Sequence, residues 1–125
     1  MNGNRYLLDT NAIIALLQGN TDIKDVVSNA EWVGTSVICI LEFYSFPKMS
    51  VSDKLLLDYF ITKIHLVNLP TERNSLAEIA KFKIQSKLKL PDAIIGSSSI
   101  ENNAILISRD KDFENVNGLQ LLKFE

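Results

Sequence analysis

A single cysteine, Cys39, rules out any intrachain disulfide, so packing alone must hold this chain together. Set among Ile38, Ile40 and Leu41, it reads as a buried small hydrophobe rather than a reactive thiol. Three prolines and five glycines in 125 residues exclude a collagenous or low-complexity chain. Apolar runs such as Val37 to Leu41 fall far short of the roughly 20 residues needed to cross a bilayer. Met1 to Arg5 is short and polar and leads straight into a strand-like run, with no room for the apolar stretch of a signal peptide, so a cytoplasmic location is expected. An excess of basic residues is also missing. Thirteen Lys and Arg against fifteen Asp and Glu give a net charge of −2, so any nucleic-acid role must rest on local features and not on a general positive coat.

What is present is an ordinary globular composition, 46% hydrophobic and 22% charged. A chain of this length buries roughly 65% of its unfolded surface and forms one core, so a single domain over residues 1–125 is expected. The short apolar run Arg5 to Leu8, ending at Asp9, suits a buried parallel strand. A helix from about Asn11 to Leu17 follows, stopped by Gln18, Gly19 and Asn20, and Thr21 or Asp22 caps a second helix through about Val27. Trp32 to Ser36 reads as a strand, and Val37 to Phe46 as a helix ended by Pro47. Ser50 to Asp53 has the spacing of a capping box, opening a helix to about Thr62 with Leu55, Leu56, Tyr59, Phe60 and Lys63 at helical intervals.

His65 to Leu69 reads as a third strand, and Pro70 to Lys87 as an amphipathic helix with Leu76, Ile79, Ala80, Lys83 and Ile84 on one face. Pro91 opens another helix, which runs to about Glu101 and ends at Asn102 and Asn103. A fourth strand, Ala104 to Ile107, and an edge strand within Leu119 to Phe124 complete the order. Strands alternating with helices predict an α/β fold, a three-layer α/β/α sandwich on a mainly parallel sheet, with any ligand outside the strands' carboxyl ends.

The acids fall where that rule points. Asp9 follows the first strand, and Asp110 and Asp112 follow the fourth. Glu42 is the only charge between Ser36 and Phe46, and Asp92 is the only one on its helix before Glu101. A carboxylate alone on an apolar helix needs a cation, a donor or the rim of a cleft, because burying it unpaired costs several kcal/mol. Any one of these acids could be a helix cap or a rim residue. Brought together from four separate segments, they would repel one another unless hard divalent cations sat among them, and magnesium or manganese suits such an oxygen-rich set.

The stretches Leu7-Leu8-Asp9-Thr10-Asn11, Ser36-Val37-Ile38-Cys39-Ile40-Leu41-Glu42-Phe43, Leu90-Pro91-Asp92-Ala93-Ile94-Ile95-Gly96 and Ile107-Ser108-Arg109-Asp110-Lys111-Asp112-Phe113 resemble the four motifs of PIN-domain ribonucleases. They come in the family's order and spacing, and the whole chain resembles the VapC toxins of toxin–antitoxin pairs. The resemblance implies a PIN-like fold and a Mg2+- or Mn2+-dependent endoribonuclease leaving a 5′-phosphate and a 3′-hydroxyl. Asp9, Glu42, Asp92 and Asp110 would be its catalytic metal-site acids, with Asp112 as a supplementary ligand and Thr10, Asn11 and Ser108 as polar supports. It further implies a homodimer, a cognate antitoxin as partner and RNA as substrate.

Lys87 and Lys89, leading into Asp92, and Arg109 and Lys111, interleaved with the acids, are candidates for gripping RNA phosphates; Lys81 and Lys83 lie in the same basic stretch, and an ordinary solvated helix face is the alternative. Phe43, Tyr44, Phe46 and Trp32 read as core or dimer surface. The same motifs would serve a stand-alone RNA-processing nuclease or a PIN-like module that only binds partners. An aspartyl phosphatase would want a second aspartate where Asn11 stands, and a phosphoryl-receiver domain would want an acidic pair where only Asp9 stands. The only histidine, His65, opens a strand and reads as a solvated or packed surface residue. Replacing it tests the division of labour: His65→Ala is expected to leave metal-dependent RNA cleavage, followed on a labelled transcript, within about threefold of wild type, well short of the 10²–10⁴-fold that loss of a general acid or base removes.

Overall fold

The computed structural model describes residues 4–125, so residues 1–3 of the polar stretch read at Met1 to Arg5 lie outside the described residues. The chain runs β1 (Arg5–Leu8), α1 (Thr10–Leu17), α2 (Thr21–Ser28), β2 (Trp32–Ser36), α3 (Val37–Tyr44), α4 (Val51–Ile61), β3 (His65–Val67), α5 (Arg73–Ser86), α6 (Leu90–Glu101) and β4 (Ile105–Ile107). A 3-10 turn (Lys111–Phe113) and the two-residue β5 (Leu121–Leu122) complete it. The strands form one sheet in the order β3-β2-β1-β4-β5, and every pairing is parallel. Six helices flank this sheet, as the α/β/α expectation requires.

Strand order changes direction between β1 and β4. The chain first builds outward through β2 and β3, then crosses back to lay β4 on the other side of β1. A crevice opens at the carboxyl ends of two strands whose connections leave in opposite directions. The register Leu8 opposite Ile107 puts Asp9 and Ser108 side by side at that point, and Asp9 N–H donates to the Ile107 carbonyl at 3.0 Å.

The crevice has a rigid floor. Leu7, Leu8, Leu106 and Ile107 of the two central strands are fully buried, together with Ala12 and Ile13 of α1, Cys39 of α3, Ala93 and Ile95 of α6, and Phe113. Gly34 of β2 permits a close approach: a Cβ there would lie 3.1 Å from the His65 carbonyl oxygen and collide with the Trp32 ring. That ring stacks on His65 with centroids 5.3 Å apart, and the Arg5 guanidinium lies 4.7 Å from its centroid. His65 is thus an exposed residue packed on the β3 edge, as its position suggested.

Several boundaries move, each for a local reason. Helix α1 begins at Thr10 because Asp9 is its N-cap, and α2 is capped by Asn20, whose Oδ1 accepts from Ile23 N–H at 3.0 Å, and not by Thr21 or Asp22. Helix α3 stops at Tyr44, before Phe46; the N–H of its C-cap, Ser45, turns back to the Leu41 and Glu42 carbonyls. Strand β3 ends at Val67, two residues short of Leu69, β4 starts at Ile105, and β5 keeps only Leu121 and Leu122 of the stretch to Phe124. Pro70 lies outside α5, which starts at Arg73, and Lys87 leaves the helix in the left-handed region at φ 63°.

On two helices the apolar spacing leaves most of its members in solvent. On α4 only Leu57 is buried, while Leu55, Leu56 and Tyr59 are exposed; on α5 only Ile79 is buried, while Leu76 and Ile84 are exposed. Apolar spacing specifies a helix but not which side meets the sheet when the apolar residues extend most of the way round it. Leu106→Ala in the central strand is expected to cost about 2–5 kcal/mol, and Ser50→Ala, which removes the Oγ accepting from Asp53 N–H at 2.9 Å, about 1 kcal/mol, both read from urea midpoints at constant m-value.

Candidate metal centre

Asp9 sits at the switch point with only 5% of its surface exposed. Its Oδ1 accepts from Thr10 N–H at 2.8 Å, the N-cap geometry that a strand running straight into a helix supplies. Its Oδ2 accepts from the Ser108 hydroxyl at 2.7 Å and from Asn11 Nδ2 at 3.4 Å. Asn11 Nδ2 also reaches Ser108 Oγ at 3.3 Å, while Asn11 Oδ1 accepts from Arg109 N–H at 3.2 Å. One amide side chain thus joins the loop after β1 to the loop after β4. Ser108, fully buried, also accepts from Asp110 N–H at 3.0 Å, and Asp110 caps the 3-10 turn by accepting from Asp112 N–H at 2.9 Å.

Glu42 comes in on α3. It is exposed, and its Oε1 accepts from the Thr10 hydroxyl at 2.8 Å, so the lone charge of that helix lies on the rim of the crevice and is held there by a donor. Asp92 enters in the first turn of α6, half-buried. Ligand atoms of Asp9, Cys39 and Glu42 lie within 4.8 Å of one another, as do those of Asp92, Asp110 and Asp112. Through space the two groups influence each other: burial, then the charges of Asp110, Asp9, Glu42 and Asp112, push the Asp92 carboxyl up to about 6. Asp9 is also raised, by burial first and against the opposing pull of Ser108 and Thr10.

Among the described residues no side-chain cation pairs with these acids. The only ion pair among the described residues joins Lys123 to Glu114 at 3.1 Å and includes none of these acids. Four candidates for gripping RNA lie close by in sequence: Lys87 ends α5, Lys89 caps α6, Lys111 opens the 3-10 turn and Arg109 adjoins Asp110, all with exposed side chains. The Arg109 guanidinium is drawn over the Phe124 ring, 4.6 Å from its centroid.

Two neighbours of the centre escaped notice in the sequence. Cys39 Sγ lies 3.7 Å from the Leu8 carbonyl and 3.9 Å from Asp9 Oδ1, and Thr35 Oγ1 donates to the same carbonyl at 2.8 Å. Cys39 stands three residues before Glu42 and so shares its helix face, a spacing that could have revealed it. Burial and the charge of Asp9 push its thiol up to about 12, consistent with the inert thiol expected from its apolar setting.

A model of the PIN domain family matches residues 6–119, and the chain belongs to that family. Its structural neighbours are VapC toxins of VapBC complexes. A toxin–antitoxin complex from Klebsiella pneumoniae aligns at TM-score 0.75 and 25% identity, over 94% of this chain and 96% of that one. VapBC2 from Rickettsia felis, bound to a DNA fragment from its promoter, aligns at TM-score 0.74 and 20% identity, over 97% and 99%. VapBC-1 from nontypeable Haemophilus influenzae gives TM-score 0.71 and 23% identity, over 95% and 97%. No curated protein matches the sequence.

The raised carboxyls have a consequence for stability. With a folded value of about 6 against 3.8 for the free side chain, Asp92 binds more protons folded than unfolded between those pH values, so its contribution to stability falls as pH rises through that window. In chelator, Asp92→Asn is expected to melt above wild type at pH 7.5 and to lose that advantage by pH 4, as followed by thermal denaturation at both pH values.

Proposed function

We propose that this chain is a divalent-metal-dependent endoribonuclease and the toxin of a toxin–antitoxin pair. The observation that carries the reading is the gathering of Asp9, Glu42, Asp92, Asp110 and Asp112 at the switch point of a PIN domain with no ion-pair partner among the described residues. Uncharged donors hold Asp9 and Glu42 in place without neutralising them, and the remaining oxygens form the hard, crowded set that suits Mg2+ or Mn2+. These five acids would hold the cation. A divalent cation bound there would lower the pKa of an attacking water and stabilise the charge developing on the phosphodiester oxygens.

The chain's own residues supply position. Ser108 and Thr10 aim the two oxygens of Asp9, Thr10 also fixes Glu42, and Asn11 ties both loops so that the acids from β1 and β4 keep their spacing. Lys87, Lys89, Arg109 and Lys111 would hold phosphates on either side of the bond that breaks, leaving a 5′-phosphate and a 3′-hydroxyl. No histidine takes part.

The partner assignments draw on the exposed apolar faces that the isolated chain leaves bare. Leu41, Tyr44, Phe46, Val51, Leu55 and Tyr59 are between 42% and 77% exposed and lie within α3, α4 and the loop that joins them. An apolar surface of this kind marks an interaction site. A cognate antitoxin and a second copy of the chain are the proposed occupants, in keeping with structural neighbours described as toxin–antitoxin complexes. No helix among the described residues is long and apolar enough to cross a membrane, and action in the cytoplasm is part of the proposal.

The test is cleavage of end-labelled RNA by the purified chain in magnesium, in manganese and in chelator. Cutting is expected with either metal and not in chelator. Asp9→Asn is expected to abolish it, and Ser108→Ala, which only orients Asp9, to slow it by about 10- to 100-fold. Activity unaffected by chelator, or retained in folded Asp9→Asn, would remove the carboxylate centre from the reaction.

A further inference from the structure

A recess of about 370 Å³ lies between the end of α5 and the loop after the 3-10 turn, lined by Phe82, Gln85, Ser86, Asn115, Val116 and Asn117. Its volume falls in the range of small-molecule sites, roughly 300–1,000 Å³. The lining has no charged side chain, so it is not built for a phosphate. It offers one aromatic ring and three carboxamides, and none of Gln85, Asn115 and Asn117 spends its side chain on another group among the described residues. A ring for stacking and amides that both donate and accept are the chemistry that reads the edge of a nucleobase.

Two further observations fix the recess relative to the acids. Asn115 follows Asp112 by three residues, and three residues of chain reach at most about 11 Å, so the Asn115 edge of the recess lies close to Asp112. Phe82 is held from behind by α6, one turn beyond Asp92: a Cβ on Gly96 would lie 3.1 Å from the Phe82 ring, so only glycine lets the ring settle there undisturbed. Lys87, one residue past Ser86, is exposed and has a left-handed backbone at φ 63°.

We propose that this recess is a nucleobase-binding subsite for single-stranded RNA, with Phe82 stacking on the base and Gln85, Asn115 and Asn117 reading its edge, so that it selects where the strand is cut. The proposal deepens the ribonuclease reading and rests on it for the link to cleavage, but binding can be tested without any turnover. Asn115 has φ 64°, so Asn115→Gly removes the amide while suiting the backbone, and Asn117→Ala removes the second.

The first measurement is a titration of isotope-labelled protein, in chelator, with each of the four ribonucleoside 5′-monophosphates and with ribose 5-phosphate, following the side-chain amide resonances of Gln85, Asn115 and Asn117. Saturable shifts that differ between bases and are absent with ribose 5-phosphate are expected. Equal shifts with ribose 5-phosphate, or none with any nucleotide, would overturn the subsite.

The second maps cut positions in a randomised RNA pool with magnesium. The Asn115→Gly, Asn117→Ala double variant is expected to lower cutting at the preferred sequence by about 10-fold relative to other positions. An unchanged pattern would overturn the selecting role while leaving the nuclease reading intact. Base-dependent shifts in a wild type that cuts no RNA would sink the nuclease reading and leave the base-binding subsite.

Discussion

Repulsion among carboxylates at the junction of β1 and β4 is the constraint to which the rest of the molecule answers. Asp9 is almost fully buried, and Asp92 is driven up to about 6 by burial and by four other acids, an arrangement that weakens a protein near neutral pH. Folding tolerates it because the floor beneath is a dry parallel sheet, with Leu7, Leu8, Leu106 and Ile107 wholly out of water. Each charged oxygen that is held is held by a neutral donor. Ser108, Thr10 and Asn11 fix geometry without cancelling charge, which leaves the acids free to bind a cation from outside.

Topology makes the arrangement economical. The parallel order β3-β2-β1-β4-β5 brings residues 9 and 108, 99 positions apart in the chain, to adjacent strand ends. Asn11 then needs only one side chain to bind the two loops, and the left-handed turn at Lys87 directs the chain from α5 into the helix that carries Asp92. Lys87, Lys89, Arg109 and Lys111, all exposed, lie within a few residues of Asp92 or Asp110 along the chain without pairing with either acid.

Large apolar side chains stay exposed on α3 and α4. Val51, Leu55 and Tyr59 are more than three-fifths exposed on a helix that buries only Leu57 against the body of the protein. Their solvation in the isolated chain is unfavourable, and covering them would add apolar burial at roughly 25 cal/mol per Å².

The alternation of strands and helices, the strand starts at Arg5 and Trp32, the glycine and asparagine stops, and the acids placed after strands were all legible in the residues, because each is a local pattern of period, cap or breaker. A lone Glu42 on an apolar helix also stood out, although the residues alone left open whether it was a ligand or a plain rim position. Other features depended on contacts distant in sequence. The faces of α4 and α5 that meet the sheet follow from packing, not from their own spacing. Asn20 displaced Thr21 as a cap because the chain leaving Gly19, itself at φ 94°, presents that side chain to Ile23 N–H. The bond from Thr10 to Glu42 and the place of Cys39 beneath Asp9 required α3 to cross α1. The amide-lined recess required α5 to meet the loop after Asp112. Sequence alone determined which residues could carry charge, caps and core; only the tertiary structure decided which of them would meet, because a parallel sheet joins residues that no local pattern connects.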